Sequence, residues 1–213
     1  MGESLVRISI KILESAKVIE SRINQALVDK VNQKLRLGNT KAIQTARSYV
    51  KGWIAEQPEM RSIASGGDLA GEFGIRAGQG SSIATAIATA VSMATVFSFT
   101  PFNNKFKGSA KLEFQPDSFA TLLTLPLGFT ATKNSGNLHW MDWLLLQGNN
   151  TIIVGYEYVP DTGKGRSGMG TMSTGGMWRV PPQYAGTKDD NFITRAFLGR
   201  EKQIAALFGE MLR

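Results

Sequence analysis

The chain has 213 residues and a formal charge of +7, with 42% hydrophobic residues, enough for one sizeable domain with a real core. It has no cysteine and a single histidine, His139. That composition excludes disulfide frameworks, zinc–thiolate and iron–sulfur sites, thiol catalysis and histidine-rich metal centres, and it points toward a binding or structural protein. The basic excess sits at the two ends: 12 basic and 8 acidic residues over 1–76, 4 of each over 77–159, and 8 against 5 over 160–213. A mild basic bias suits a partner with negative charge, DNA included, although no run of consecutive basic residues exists.

The first segment reads as a long helix. Leu5, Ile8, Ile12, Ala16, Ile19, Ile23, Leu27, Val31 and Leu35 recur every three or four residues, one stripe of a helix. Ser4 is its expected cap and Gly38-Asn39 its expected left-handed end. Such a rod runs about 45 Å, longer than a small domain is wide, so part of the stripe needs a neighbouring copy to cover it. The alternative is a break that folds the stripe onto its own core. Leu5, Ile8, Ile12, Ile19, Ile23 and Leu27 are the candidate subunit-interface residues. A second helix is expected over 40–57, stopped by Pro58, which makes residues 1–57 a helical N-terminal region. No signal peptide or myristoylation pattern is expected at the N-terminus.

Residues 77–104 carry no charge at all. Their content of Ala, Ser and Thr is too polar for a membrane span. Ser82, Thr85, Thr89 and Ser92 form a polar stripe opposite Ile83, Ile87, Val91 and Ala94, an amphipathic helix over 81–94. From Thr95 the period changes to two. Val96, Phe97 and Phe99, a turn at Pro101–Asn104, then Ala110, Leu112 and Phe114 read as a hairpin with one wet face. Asp117 is expected to cap a short helix reaching Leu125, and residues 127–132 read as a further strand followed by a turn at 134–136. A helix over 138–147 would turn Leu138, Met141, Leu144 and Leu145 inward, and 151–159 is the best strand in the chain.

Residues 161–176, with six glycines, read as a flexible loop. Gly163-Lys164-Gly165-Arg166-Ser167-Gly168 has the form G-x-G-x-x-G, yet no helix opens after it, so dinucleotide binding lacks its structural context. Lys164, Arg166, Met169 and Met172 are the candidate residues for contact with an adjacent ring or with DNA. Trp140 and Trp178 are a candidate aromatic patch, Tyr156 and Tyr158 share a strand face, and His139 is read as structural with Asp142 as its partner. Asp189 or Asp190 is expected to cap a C-terminal helix to about Met211, with a bend at Gly199. The order of elements gives one α+β domain over 1–213: a long N-terminal helix and further helices packed on a small, mostly antiparallel sheet, then a C-terminal helix.

The string MWRVPPQYAGT at 177–187, NFITRAF at 191–197 and LHWMDWLL at 138–145, with Arg166-Ser167-Gly168, resembles virion proteins of tailed bacteriophages. The layout of helix, small sheet, glycine loop and terminal helix is similar to neck and tail-completion proteins. The resemblance implies a structural ring subunit of the virion, assembled in the host cytoplasm. Its partners would be its own copies in a closed ring and neighbouring connector or tail proteins, around a lumen that DNA can traverse. It implies no catalytic residues, no cofactor, no metal and no membrane. The alternative is a basic DNA-binding module of a phage or mobile element, whose affinity would fall steeply with salt.

Overall fold

The computed structural model describes residues 11, 13–114, 118–131 and 136–212. Helix α1 is a continuous α-helix of 40 residues, Ala16–Ala55, about 60 Å long. Its cap is Ser15, whose hydroxyl accepts from the Val18 amide, rather than Ser4. Leu5, Ile8 and Ile12 of the expected stripe lie outside the described residues.

The expected stop at Gly38-Asn39 does not occur, and the two helices expected over 4–57 are one from Ala16 onward. The reason lies far along the chain. Helix α8, Glu201–Met211, crosses α1 at this point, and a Cβ on Gly38 would meet the backbone of Met211 at 3.2 Å. Glycine costs the helix about 1 kcal/mol, but it lets α8 approach and bury Leu35, Ala42 and Ala46 against Leu207 and Met211. Gly38→Val is expected to push α8 off this seat and cost about 1–3 kcal/mol in denaturant unfolding; an unchanged midpoint would remove this account of the glycine. The helix ends where Pro58 forces Gln57 into an extended conformation, ψ 143°.

After α2 (Pro58–Ser65) and α3 (Asp68–Glu72), α4 spans Gly80–Met93 and buries Ile83, Ile87 and Val91 as its periodicity predicts. Ser92, assigned to the polar face, is buried as well and donates to the Thr89 carbonyl. Strands β1 (Thr95–Thr100) and β2 (Ser109–Phe114) form the expected antiparallel hairpin, with Phe97 opposite Leu112. Helix α5 covers Ser118–Leu123; the proposed cap, Asp117, and most of the turn at 134–136 lie outside the described residues. Strands β3 (Thr130–Ala131) and β4 (Asn137–Leu138) form a minimal ladder ahead of α6 (Trp140–Leu145).

Strand β5, Ile153–Pro160, pairs antiparallel with β6, Gly170–Trp178. Half of the expected glycine loop is therefore a strand, and only 161–169 connect the two. The register slips between Val154 and Tyr156, where Gly155, Gly175 and Gly176 all have positive φ, a bulge that residues with a Cβ would strain to form. Among the described residues the strands make three separate two-stranded antiparallel sheets rather than one small sheet. The α+β character with a long N-terminal helix stands.

The expected C-terminal helix is two: α7 (Phe192–Phe197) and α8, broken at Leu198-Gly199, where Gly199 takes φ 72°. The cap of α7 is Asn191, not Asp189 or Asp190. Its side-chain Oδ1 accepts from the Ile193 and Thr194 amides, and the Asn191 backbone N–H donates in turn to the Thr194 hydroxyl. Asn191 is fully buried and also donates to the Thr187 carbonyl, which an aspartate could not do. Asp190 instead holds Arg195 at 2.6 Å.

The main core gathers the C-terminal half of α1 (Val50, Trp53, Ile54) with α2, α3, α4, α6 and α7. A second core around Leu35, Ala46, Phe97, Leu207 and Met211 clamps the middle of α1 between the first hairpin and α8.

Candidate assembly surfaces

The two cores together reach only so far along α1. Leu35 is fully buried and Val28 nearly so, while residues 16–27 are exposed apart from the half-buried Ile19 and Asn24. Val18 is 42% exposed, Ile23 54% and Leu27 50%. Isoleucine and leucine at four-residue spacing on a rod are ordinarily covered. Here the globule leaves about three turns, roughly 18 Å, of the stripe without cover. Of the candidate interface residues that the structure describes, Ile23 and Leu27 are plainly accessible and Ile19 partly so. Charge along this stretch is mixed, with Lys17, Glu20 and Arg22, and Arg22 pairs with Glu14 at 2.6 Å.

The contact residues expected in the glycine loop divide. Lys164 is exposed. Arg166 is exposed too but donates to the Ala131 carbonyl at 2.9 Å, tying the loop to β3. Ser167 is buried and its hydroxyl accepts from the Met169 amide. Met169 and Ser167 close a cleft of about 200 Å³ whose other walls include Ala70, Ile75, Arg76 and Ser81. That volume is below the range of ordinary small-molecule sites. The G-x-G-x-x-G segment thus leads into β6 and caps a cleft, in a strand–loop–strand context. Met172, 37% exposed, lies further along β6 opposite Tyr158.

Trp140 and Trp178 form no surface patch. Trp140 is fully buried and stacks on Phe73 with centroids 4.8 Å apart; Trp178 is buried in the same core. His139 precedes α6 and stacks on Phe129 at 4.1 Å with nearly parallel planes. Its Nε2 is buried without a hydrogen-bond partner. Asp142, its expected partner, accepts from Gln147 instead. Tyr156 and Tyr158 differ in setting, the first 44% exposed and the second packed on the core.

Two carboxyls, the buried Glu59 and the half-buried Glu72, carry the strongest electrostatics. Glu59, almost wholly buried in the first turn of α2, forms an ion pair with Arg195 of α7. Burial pushes its pKa up and the Arg195 charge draws it back. Glu72, at the end of α3, faces the β5–β6 ribbon with no such partner. Desolvation, helped by the nearby Asp68 carboxylate, pushes it up to about 8. The Trp178 indole is near enough to oppose this slightly. Even so, Glu72 Oε2 and Trp178 Nε1 are both buried without a hydrogen-bond partner. The Glu72 carboxyl therefore holds its proton to a higher pH than an ordinary carboxyl does. Beside it, a Cβ on Gly71 would clash with the Tyr158 hydroxyl, so the glycine is what lets β5 seat on α3.

No group of three or more metal-ligating side chains occurs among the described residues, and no helix among them is long and apolar enough to cross a membrane. Comparison of the chain with protein-family models, curated proteins and solved structures returned no match.

The exposed α1 flank was legible in the stripe. Glu72 was not singled out because nothing in its local sequence marks burial: the desolvating groups come from a strand about a hundred residues away. The apolar end of the β5–β6 ribbon was missed for a related reason, since its second strand was read as loop.

Proposed function

We propose that this chain is a structural ring subunit of a tailed-phage neck or tail, joining the capsid portal to the tail through repeated contacts between copies. The observation that carries the ring is the uncovered flank of α1, with Ile23 and Leu27 half exposed on a rod anchored by two cores. A surface that is apolar, rigid and already helical loses little conformational entropy when a neighbour covers it. Placement in a virion rests on the resemblance of residues 138–197 to phage virion proteins, and head-to-tail contacts of one kind close such rings when the rotation fits. The reading assigns the chain no catalytic group.

Native mass spectrometry of the purified chain is expected to show one closed oligomer, and cryo-electron microscopy of particles to place it at the head–tail junction. A free monomer at micromolar concentration that is also absent from purified particles would overturn the proposal.

A further inference from the structure

The β1–β2 hairpin closes through a tip, residues 101–108, that is pinned to two helices. The Phe102 amide donates to Asn32 Oδ1 of α1 at 2.8 Å, and the Phe102 carbonyl accepts from Asn32 Nδ2 at 2.9 Å. The Phe102 side chain packs on Phe208 of α8 with centroids 5.9 Å apart. A Cβ on Gly108 would lie 3.1 Å from the Phe102 side chain, so the glycine lets the two arms of the tip close. Asn103 braces the turn from inside. Its Oδ1 accepts from the Lys105 and Lys107 amides, its own amide donates to the Lys107 carbonyl, and its carbonyl accepts from the Phe106 amide.

Phe106 sits on this braced turn at φ 55°, a left-handed conformation that a bulky side chain avoids. It is 43% exposed and belongs to neither core. Glycine or asparagine would take that φ with less strain, and a polar side chain would meet water at less cost. Strain kept at an exposed position points to a use outside the monomer. Lys105 and Lys107 flank the phenyl group, both exposed. Among the described residues neither is paired with a carboxylate. No acidic residue occurs from 77 to 112, and Glu113 just beyond is held by Lys111. On the anchoring helix, Asp29, three residues before Asn32, accepts from Gln25.

An aromatic side chain between two free cations on a rigid support has the chemistry of a nucleic-acid contact, ammonium groups for phosphates and a π-face for a base. The two lysines leave the turn at most about 7 Å apart along the chain, the scale of one nucleotide step. A lone phenyl group is too little apolar surface to seat a protein neighbour or to hold a lipid layer.

We propose that the β1–β2 tip binds a nucleic-acid strand, with Lys105 and Lys107 on successive phosphates and Phe106 against a base. The inference goes beyond the ring reading and does not require it. A single strand offers a base face outright, and a duplex only where a step is unstacked.

Fluorescence anisotropy of the full chain with a labelled single strand of about 20 nucleotides tests this, with the matching duplex as second probe. The single strand is expected to bind more tightly than the duplex, with an affinity that falls as salt rises. Lys105→Gln/Lys107→Gln should weaken binding about tenfold or more and lower the salt slope by about 1.4 for each copy engaged, two phosphates at roughly 0.7 each. Phe106→Gly should weaken it about fivefold or more with the salt slope unchanged. The same variant should raise the thermal midpoint, because the left-handed strain is gone. Lys51→Gln/Lys188→Gln, which removes equal charge elsewhere, should leave binding nearly intact. No binding at about 50 mM salt, an equal loss in the Lys51/Lys188 control, a preference for duplex, or a Phe106→Gly chain that melts early would each overturn the inference. So would tip-dependent binding of phosphatidylserine vesicles without binding of DNA, or tip variants that lose the oligomer while keeping DNA affinity. Native mass spectrometry reads the ring separately, so either proposal can fail alone.

Discussion

Replacing Ile23 and Leu27 together by aspartate is expected to abolish self-association while leaving the monomer folded. Both residues lie beyond the last fully covered turn of α1, so the monomer loses no core packing. In an assembly each would exchange water for a neighbour, worth about 1.5–3 kcal/mol per fully buried side chain, and the introduced charges add a desolvation cost. Two such positions weaken the contact by about 3–6 kcal/mol, a factor of roughly a hundred to ten thousand in affinity. Sedimentation of the double variant should give a monomer with an unchanged circular dichroism spectrum and thermal midpoint. A variant that keeps the oligomer would show that this flank is not the contact. A variant that melts early would show that the flank is packed within the chain.

The second large effect concerns pH. Glu72 has a folded-state pKa of about 8 against an ordinary value of 4.5, so folding favours its neutral form. Its contribution is fully present below pH 4.5. It is lost progressively as pH rises toward 8, because the unfolded chain has released this proton while the folded chain must hold it or strand a buried charge. At 1.36 kcal/mol per pKa unit the shift corresponds to about 3–5 kcal/mol of stability removed between those limits. The Trp178 indole softens the penalty only slightly, and Asp68, Tyr158 and Asp161, the titratable groups coupled around this corner, are all neutral or negative. Glu72→Gln keeps the shape and removes the ionisation. Its unfolding free energy should match the parent near pH 4, exceed it by a few kcal/mol at pH 9, and show a flatter profile between. Parallel profiles for the two proteins would mean that Glu72 ionises freely in the fold.

The same corner explains why the β5–β6 ribbon holds its position. Tyr158 seats against Gly71, Arg166 ties the connecting loop to Ala131, and Trp178 closes over the core beside Glu72. The inner end of the ribbon is thus anchored, and the outer end, around Val154 and Met177, is presented to solvent.

Elements whose signal is local were legible in the residues alone. The period of α4 follows from Ile83, Ile87 and Val91, that of the first hairpin from Phe97, Leu112 and Phe114, and the accessible flank of α1 from a stripe longer than any small globule can hide. Each of these depends on which neighbours in the chain share a face, a property of the backbone repeat. Features that depend on a distant partner were decided by packing. Gly38 stays helical because Met211 presses against it, and β6 becomes a strand despite its glycines because β5 supplies its hydrogen bonds. Asn191 rather than an aspartate caps α7 because its amide also donates to the Thr187 and Leu145 carbonyls. Trp140 and Trp178 turn inward because Phe73 and the ribbon close over them. Burial energy is collected between segments far apart in sequence, so it can outweigh a local preference worth about 1 kcal/mol without leaving a local trace.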